Sequence, residues 1–117
     1  AQMLNFYVNV LGCAIERETT ADTGLTQLRA GSALIDLVTL DSRLGRMGGP
    51  APEVLGNNMD HFCLSVKRVP EQSLINHLQS HGVQTQDFVE RYGAQGFGRS
   101  IYIADPDQNT VELRLEK

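Results

Sequence analysis

The sequence has few cysteines and no motif that would use them. Of its 117 residues only Cys13 and Cys63 are cysteine, and no C-x-x-C pair is present. This excludes a dithiol redox motif and a cysteine-based zinc motif. Because each cysteine lies in an apolar segment, we expect two reduced, buried thiols, as in a cytoplasmic protein.

Clustered positive charge and long hydrophobic runs are also missing. The chain has 10 Lys and Arg against 14 Asp and Glu, a net charge of −4, and the basic residues are scattered. Nucleic acid and anionic membranes are therefore not expected partners. No apolar run approaches the roughly 20 residues of a membrane span, and no basic-then-apolar signal peptide opens the sequence. We expect a cytoplasmic protein that binds small molecules or other protein chains.

What is present suits one domain, since 117 residues with 41% hydrophobic content can bury a single core. Residues 1–12, "AQMLNFYVNVLG", have apolar side chains at a spacing of three to four and end on Gly12, which predicts a short amphipathic helix. Three strands are predicted to follow, in "CAIERETT", "GLTQLRAG" and "SALIDLVTL". Residues 41–58 collect turn-forming residues and are predicted to connect two halves.

The second half repeats this order with one more strand at its start. "MDHFCLSV" predicts a strand, "PEQSLINHLQSHG" a helix and "VQTQDFVERYG" a polar strand. "GRSIYIADP" and "NTVELRLE" predict a hairpin around "DPDQN". The halves thus read α-β-β-β and β-α-β-β-β, and each closes on an apolar strand that contains one acid, Asp36 or Glu112.

The repeat also predicts where a missing strand would lie. His61 opens the first strand of the second half and lies 21 residues before Gly82, which ends the helix. Gly12 ends the first helix, so the counterpart of His61 should lie about nine residues upstream of Ala1. Either an opening strand precedes the start of this sequence, or a partner chain fills its place in the sheet.

The segments "NFYVNVLG", "SALIDLV", "MDHFCLSV" and "SIYIADPDQNTVELR", with the closing pattern DPDxNxVEL, resemble the vicinal oxygen chelate superfamily of glyoxalase I, bleomycin-resistance proteins and extradiol dioxygenases. The resemblance implies an α+β fold of two βαβββ modules whose eight strands form an open, cup-shaped mixed sheet. Module 1 would span 1–40 without its first strand, and module 2 would span 59–117. Members of the group are commonly homodimers.

The resemblance also implies a set of metal ligands. Carried over to this sequence, they fall on Asp36, His61 and Glu112, with a fourth ligand, a histidine, upstream. Alternation along each strand would let these side chains share one concave face. Imidazole with carboxylates suits Ni, Zn, Mn or Fe(II), and such a site can bind two substrate oxygens and stabilise an enolate. Glu112 is predicted to be a ligand and the catalytic base.

Each site residue has a simpler interpretation. His61 could be a packing histidine, and Glu112 could form an ion pair with Arg114 or Arg99. Asp36 stands where glyoxalase-like members usually have the longer Glu. Cys63 is expected to be a small buried hydrophobe on the face of His61.

Two histidines fall outside this set. His77 and His81, four residues apart, are expected to be exposed near a helix C-terminus, although they could clamp a metal. They are not assigned to the predicted site.

Two functions therefore stay open at this point. The first is a divalent-metal-dependent glyoxalase-like enzyme, of the lyase or isomerase class before the dioxygenase class, acting on a small molecule. The second is a metal-free small-molecule or antibiotic-binding protein of the bleomycin-resistance kind. A degenerate domain that keeps only the fold is a third possibility.

Two departures from the family pattern bear on loops. Gln108 stands in "DPDQN" where the family usually has glycine, so either Gln108 is left-handed at a cost of roughly 1 kcal/mol, or Asn109 takes the unusual conformation. "RYGAQGFG", residues 91–98, is either a mobile flap over a pocket or an ordinary hairpin loop.

Overall fold

The computed structural model describes residues 1–53 and 55–117, so Val54, in the predicted connection 41–58, lies outside the described residues. The chain divides into two compact units, Ala1–Gly56 and Asn57–Lys117, and each contains its own sheet. The helices are α1 (Gln2–Leu4) with a π-helical continuation (Asn5–Val10), α2 (Arg43–Met47) and α3 (Glu71–Ser80). The strands are β1 (Ala14–Glu18), β2 (Leu25–Ala30), β3 (Ala33–Val38), β4 (His61–Val66), β5 (Val89–Gly93), β6 (Gly96–Ala104) and β7 (Thr110–Leu115). The predicted α+β class and the predicted order of elements in both halves are confirmed.

The predicted helix of the first unit is mostly a π-helix, which has more residues per turn than an α-helix. It begins with one α turn and continues as a π-helix, in which the Leu11 amide donates to the Phe6 carbonyl, five residues back. Phe6, Tyr7 and Val10 are buried, and the rings of Phe6 and Tyr7 meet edge to face at 5.0 Å. The predicted amphipathic helix is therefore confirmed, with a different hydrogen-bond spacing. Gly12 has a φ of 81°, as expected for a residue that ends a helix.

The sheet of the first unit is antiparallel, in the order β1-β2-β3. Leu28, in the central strand, is fully buried and pairs with Ile15 and Ile35 on the two neighbouring strands. Asp36 pairs with Gln27, so its side chain lies on the opposite face of the sheet from Leu28. The hydrophobic alternation thus directs Asp36 away from the core of its unit.

The predicted connection contains a short helix that the turn-former pattern concealed. Ser42 caps α2 by accepting a hydrogen bond from the Gly45 amide at 3.1 Å, and Ser42 itself is buried. Gly45 has no room for a side chain, because a Cβ there would lie 2.0 Å from the Thr39 carbonyl oxygen. A glycine that composition marks as a breaker is therefore a close-packing position.

The sheet of the second unit is mixed, in the order β4-β7-β6-β5. β4 runs parallel to β7 and the other pairs are antiparallel. Its apolar face contains buried side chains from the two central strands, and α3 contributes two more. These residues are Ile101, Ile103, Val111 and Leu113 in the sheet and Leu74 and Leu78 in the helix. Burial of these side chains fixes which face of β4, β6 and β7 the polar residues occupy.

The second predicted strand of the second half begins later than expected. β5 starts at Val89, whereas the prediction started it at Val83. The Val83 amide donates to the Leu78 carbonyl in the cap of α3, and Phe88 is buried before the strand begins. These tertiary contacts hold 83–88 in an irregular path.

The glycine-rich segment 91–98 is a hairpin. β5 and β6 stay paired up to Gly93 and Gly96, so only Ala94 and Gln95 form the turn between them. The structure thus shows a hairpin with a two-residue turn, and a flap role for this hairpin stays a prediction. Along the described residues, no helix has the length and apolar character needed to cross a lipid bilayer.

The "DPDQN" turn is organised by Asp105, which is buried. Its Oδ1 accepts hydrogen bonds from the Asp107 and Asn109 amides at 3.0 and 2.9 Å. Gln108 has a φ of 68°, and it is the only non-glycine residue with positive φ among those described. The left-handed residue is therefore Gln108, and the alternative at Asn109 is wrong.

We predict that Gln108→Gly raises the free energy of unfolding by about 0.5–1 kcal/mol, since release of left-handed strain exceeds the added freedom of the unfolded chain. Urea denaturation of both proteins measures the difference. Gln95→Gly is the matched control, because Gln95 lacks a positive φ and glycine there should not stabilise. Equal effects of the two substitutions would contradict the assignment of strain to Gln108.

Candidate functional site

The second unit places a row of polar side chains on the sheet face opposite its core. In the register of β4 and β7, Cys63 pairs with Glu112 and Ser65 pairs with Arg114. On the other side of β7, β6 places Tyr102 beside Glu112 and Ser100 beside Arg114. Because side chains alternate along a strand, all of these residues share one face.

His61 contacts two carboxylates at once. Its Nε2 lies 3.1 Å from Oε1 of Glu112, and its Nδ1 lies 2.7 Å from Oδ2 of Asp60. The ring of Tyr102 meets the imidazole edge to face, with centroids 5.4 Å apart. The imidazole is thus oriented through both nitrogens, and the pairing of His61 with Glu112 joins residues 51 positions apart.

Glu112 is buried in the middle of the sheet, with 6% of its surface exposed. Its Oε2 accepts a hydrogen bond from the Ser100 hydroxyl at 2.6 Å and lies 3.4 Å from Nη2 of Arg114. Its Oε1 faces His61. A buried carboxylate is costly unless it is hydrogen-bonded and paired, and these three residues meet that requirement. Of the two arginines considered as partners, Arg114 pairs with Glu112, and Arg99 pairs with Glu71 instead.

These contacts change the pKa values of both members of the pair. Burial raises the pKa of the Glu112 carboxyl, but the Ser100 hydrogen bond, the His61 contact and the charge of Arg114 outweigh it and hold the pKa below its usual value. For His61, the hydrogen bond to Asp60 raises the pKa most, burial lowers it, and Glu112 raises it further, so the pKa lies above 6.5. Glu112 is therefore ionised at neutral pH.

Asp36, the third predicted ligand, lies in the first unit. Its exposed carboxylate accepts a hydrogen bond from Nε2 of Gln27 at 3.1 Å. Across the described ranges 1–53 and 55–117, no group of three or more His, Cys, Asp or Glu side chains is spaced to hold a metal ion. The structure therefore brings His61 and Glu112 together, and the ligand role of Asp36 stays a prediction.

Only one of the two cysteines is buried, although the sequence predicted that both would be. Cys13 is buried as predicted, but Cys63 is exposed, because it lies on the polar face of β4, the edge strand of its sheet. Partial desolvation of the thiol by neighbouring atoms and the nearby negative charge of Glu112 raise the pKa of Cys63, so it is a neutral thiol at neutral pH. His77 and His81 are exposed near the end of α3, as predicted.

Sequence reasoning missed Asp60 and Ser100, and it treated Arg114 only as an ion-pair partner. Asp60 was detectable, because a carboxylate next to a candidate ligand histidine is a common orienting group. Ser100 was not detectable from one sequence. Its contact with Glu112 depends on the register between β6 and β7, which no local pattern determines.

The family model of the Glyoxalase/Bleomycin resistance protein/Dioxygenase superfamily matches residues 1–113. The chain belongs to this superfamily. Matching nearly the whole chain, the family model confirms the resemblance seen in the sequence, and superfamily members commonly use divalent metals and bind small-molecule substrates.

Several solved structures have a similar fold over nearly the whole length of this chain. An integron cassette protein of V. cholerae is 25% identical with a TM-score of 0.70, covering 99% of this chain and 85% of that one. Lactoylglutathione lyase of Agrobacterium tumefaciens is 18% identical with a TM-score of 0.64, covering 97% and 83%. The fosfomycin resistance protein FosX of Listeria monocytogenes is 21% identical with a TM-score of 0.64, covering 99% and 83%. The last two likenesses establish the fold.

We predict that, in this protein without added metal, the His61 imidazole titrates above pH 6.5 and that Asp60→Asn lowers the midpoint of this titration. Because the pKa is raised on folding, the charged pair stabilises the fold below the unfolded pKa, and this stabilisation is lost as pH rises through the folded pKa. NMR titration of the His61 ring measures the midpoint.

The Asp60 carboxylate is 95% exposed, so its effect should weaken as salt is added. Glu116→Gln, which removes an acid elsewhere in the same unit, is the control and should leave the midpoint unchanged. An unchanged His61 midpoint in Asp60→Asn would contradict the proposed orientation of the ring.

Proposed function

We propose that this protein is a divalent-metal-dependent, glyoxalase-like enzyme that acts on a small molecule. The lyase or isomerase class comes first, and the dioxygenase class is the alternative. The observation that supports it is the convergence of His61 Nε2 and Glu112 Oε1, 3.1 Å apart, on one sheet face. Glu112 and His61 are the proposed metal ligands in this unit.

The chemistry of these two donors suits a metal, since an imidazole nitrogen and a carboxylate oxygen are both common ligands of divalent ions. The second nitrogen of His61 already bonds to Asp60, as the outer nitrogen of a metal-bound histidine commonly bonds to a carboxylate. His61 and Glu112 therefore supply two donors that suit Ni, Zn, Mn or Fe(II), and the described residues bring no third His, Cys, Asp or Glu side chain into such a group.

A bound divalent ion would supply Lewis-acid polarisation of two substrate oxygens. Glu112 would ligate through Oε1, because Oε2 is engaged by Ser100 and Arg114. Its lowered pKa favours the ligand role, since a weakly basic carboxylate is a poor proton acceptor near neutral pH. The role of Glu112 as catalytic base, the ligand role of Asp36 and a further histidine ligand upstream stay predictions.

The substrate class follows the superfamily. One structure of the same fold is named lactoylglutathione lyase, and another is named a fosfomycin resistance protein. These names support a small polar organic molecule as substrate, and they do not choose between the two chemistries. A homodimer is expected from the superfamily and stays a prediction.

A metal-free binding protein is the second candidate. The observation that favours it is that Glu112 has Ser100, His61 and Arg114 as partners, which satisfy its charge without a metal. Metal binding at His61 separates the two candidates.

We predict that the protein binds one divalent ion per chain, measured by calorimetry with Ni, Zn, Mn and Fe(II) and by mass spectrometry. His61→Ala and Glu112→Gln should abolish binding, because each removes one proposed ligand. Asp60→Asn should weaken binding by about tenfold or more, through the orientation of His61.

The control is the double substitution His77→Ala with His81→Ala. The rings of these two residues are 4.8 Å apart and can bind an added transition metal at the surface. Binding lost only in this control, or absent with all four ions, would exclude the proposed enzyme and leave the binding protein.

A further inference from the structure

The guanidinium of Arg114 lies in a space that two glycines leave open. A Cβ added to Gly93 would lie 2.7 Å from Cζ and Nη1 of Arg114, and one added to Gly98 would lie 3.3 Å from Nη1. Nη1 donates to the Gly96 carbonyl at 2.8 Å, and Nη2 donates to the Arg91 carbonyl at 2.9 Å. The β5–β6 hairpin therefore fixes the position of this buried cation.

The same guanidinium reaches one oxygen of Glu112. Nη2 of Arg114 and the hydroxyl of Ser100 both approach Oε2, at 3.4 and 2.6 Å, whereas Oε1 faces His61. The two oxygens of the carboxylate are thus made unequal by their surroundings. A carboxylate that binds a metal through one oxygen leaves one more coordination position open for substrate than a carboxylate that binds through both.

We propose that Arg114 is a positioning residue that holds Oε2 of Glu112 away from the metal, so that Glu112 ligates through Oε1 alone. The glycines at 93 and 98 serve this role by giving the guanidinium its place. The inference rests on the proposed function, because it concerns how Glu112 binds the metal. The contacts of Arg114 that support it are present in the structure without a metal.

A purely structural clamp is the rival explanation, since Arg114 also ties the hairpin to β7. Nε of Arg114 has no hydrogen-bond partner within the described part of the chain, and a buried, incompletely paired charge is a weak source of stability. The two explanations differ in whether a displaced guanidinium changes Glu112.

Gly93→Ala displaces the guanidinium without removing any charge or ligand. Gly93 does not have a positive φ, so alanine is allowed by its backbone, and the obstacle is the Arg114 side chain. Arg114→Met should therefore suppress the effect of Gly93→Ala. The experiment compares the wild type, Gly93→Ala, Arg114→Met and the double variant.

Two quantities are measured in each protein. The first is the dissociation constant for Zn²⁺, with the visible spectrum of bound Co²⁺ reporting coordination number. The second is the ¹³C resonance of the Glu112 carboxylate in the metal-free protein, assigned by its absence in Glu112→Gln. Arg99→Met is the matched control, because it removes an arginine that pairs with Glu71 elsewhere in the unit.

We expect Gly93→Ala to weaken Zn²⁺ binding about tenfold, to change the Co²⁺ spectrum and to move the Glu112 resonance. The double variant should match Arg114→Met, and Arg99→Met should match the wild type. An unmoved resonance in Gly93→Ala, or losses that add in the double variant, would overturn the inference. If the wild type binds no metal, the proposed function fails and the inference fails with it, whereas metal binding with an unmoved Glu112 resonance in Gly93→Ala overturns the inference alone.

Discussion

Burial of the Glu112 carboxylate is the constraint on which the polar face of the second unit depends. A charge in this position is tolerated only when its oxygens are hydrogen-bonded and a cation lies close. Ser100 on β6, His61 on β4 and Arg114 on β7 itself meet this demand. The strand order β4-β7-β6 is therefore a condition of the site as well as of the fold, because it places the strands of His61 and Ser100 on either side of Glu112.

The apolar face of the same sheet sets the register that this arrangement needs. Val111 and Leu113, on either side of Glu112 in the sequence, are buried in the core, so Glu112 must face the other way. A slip of one residue would exchange the two faces and place Glu112 in the core. Core packing and the polar site are thus two results of one alternation along β7.

The sequence predicted the parts that depend on local pattern or on the internal repeat. The helix–strand order of both halves and the strands of His61 and Glu112 follow from periodicity, whereas the superfamily was indicated by the resemblance of four segments and of the closing pattern DPDxNxVEL to a known family. The contact of Glu112 with Ser100 was beyond it, since this contact depends on the register between β6 and β7. The ion pair of Glu112 with Arg114, two residues along the same strand, was one of the two pairings that the sequence offered, but the place that Gly93 and Gly98 leave for the guanidinium was not foreseen. Cys63 was expected to be buried because its neighbours are apolar, yet its own side chain lies on the polar face of an edge strand. Neighbours in sequence are poor indicators of burial in a strand, where alternate residues face opposite ways.

The two acids at equivalent places in the repeat have unequal surroundings, and this difference bears on how a metal would be held. Glu112 is buried and fixed by three partners, so its side-chain freedom is lost when the chain folds. Asp36 is exposed and held by one neutral amide, Gln27, so its freedom would be lost when a ligand binds. In the proposed enzyme, preorganisation therefore lies with His61 and Glu112. The symmetry of the repeat describes the backbone of the two modules, and the electrostatic organisation of the site belongs to the second.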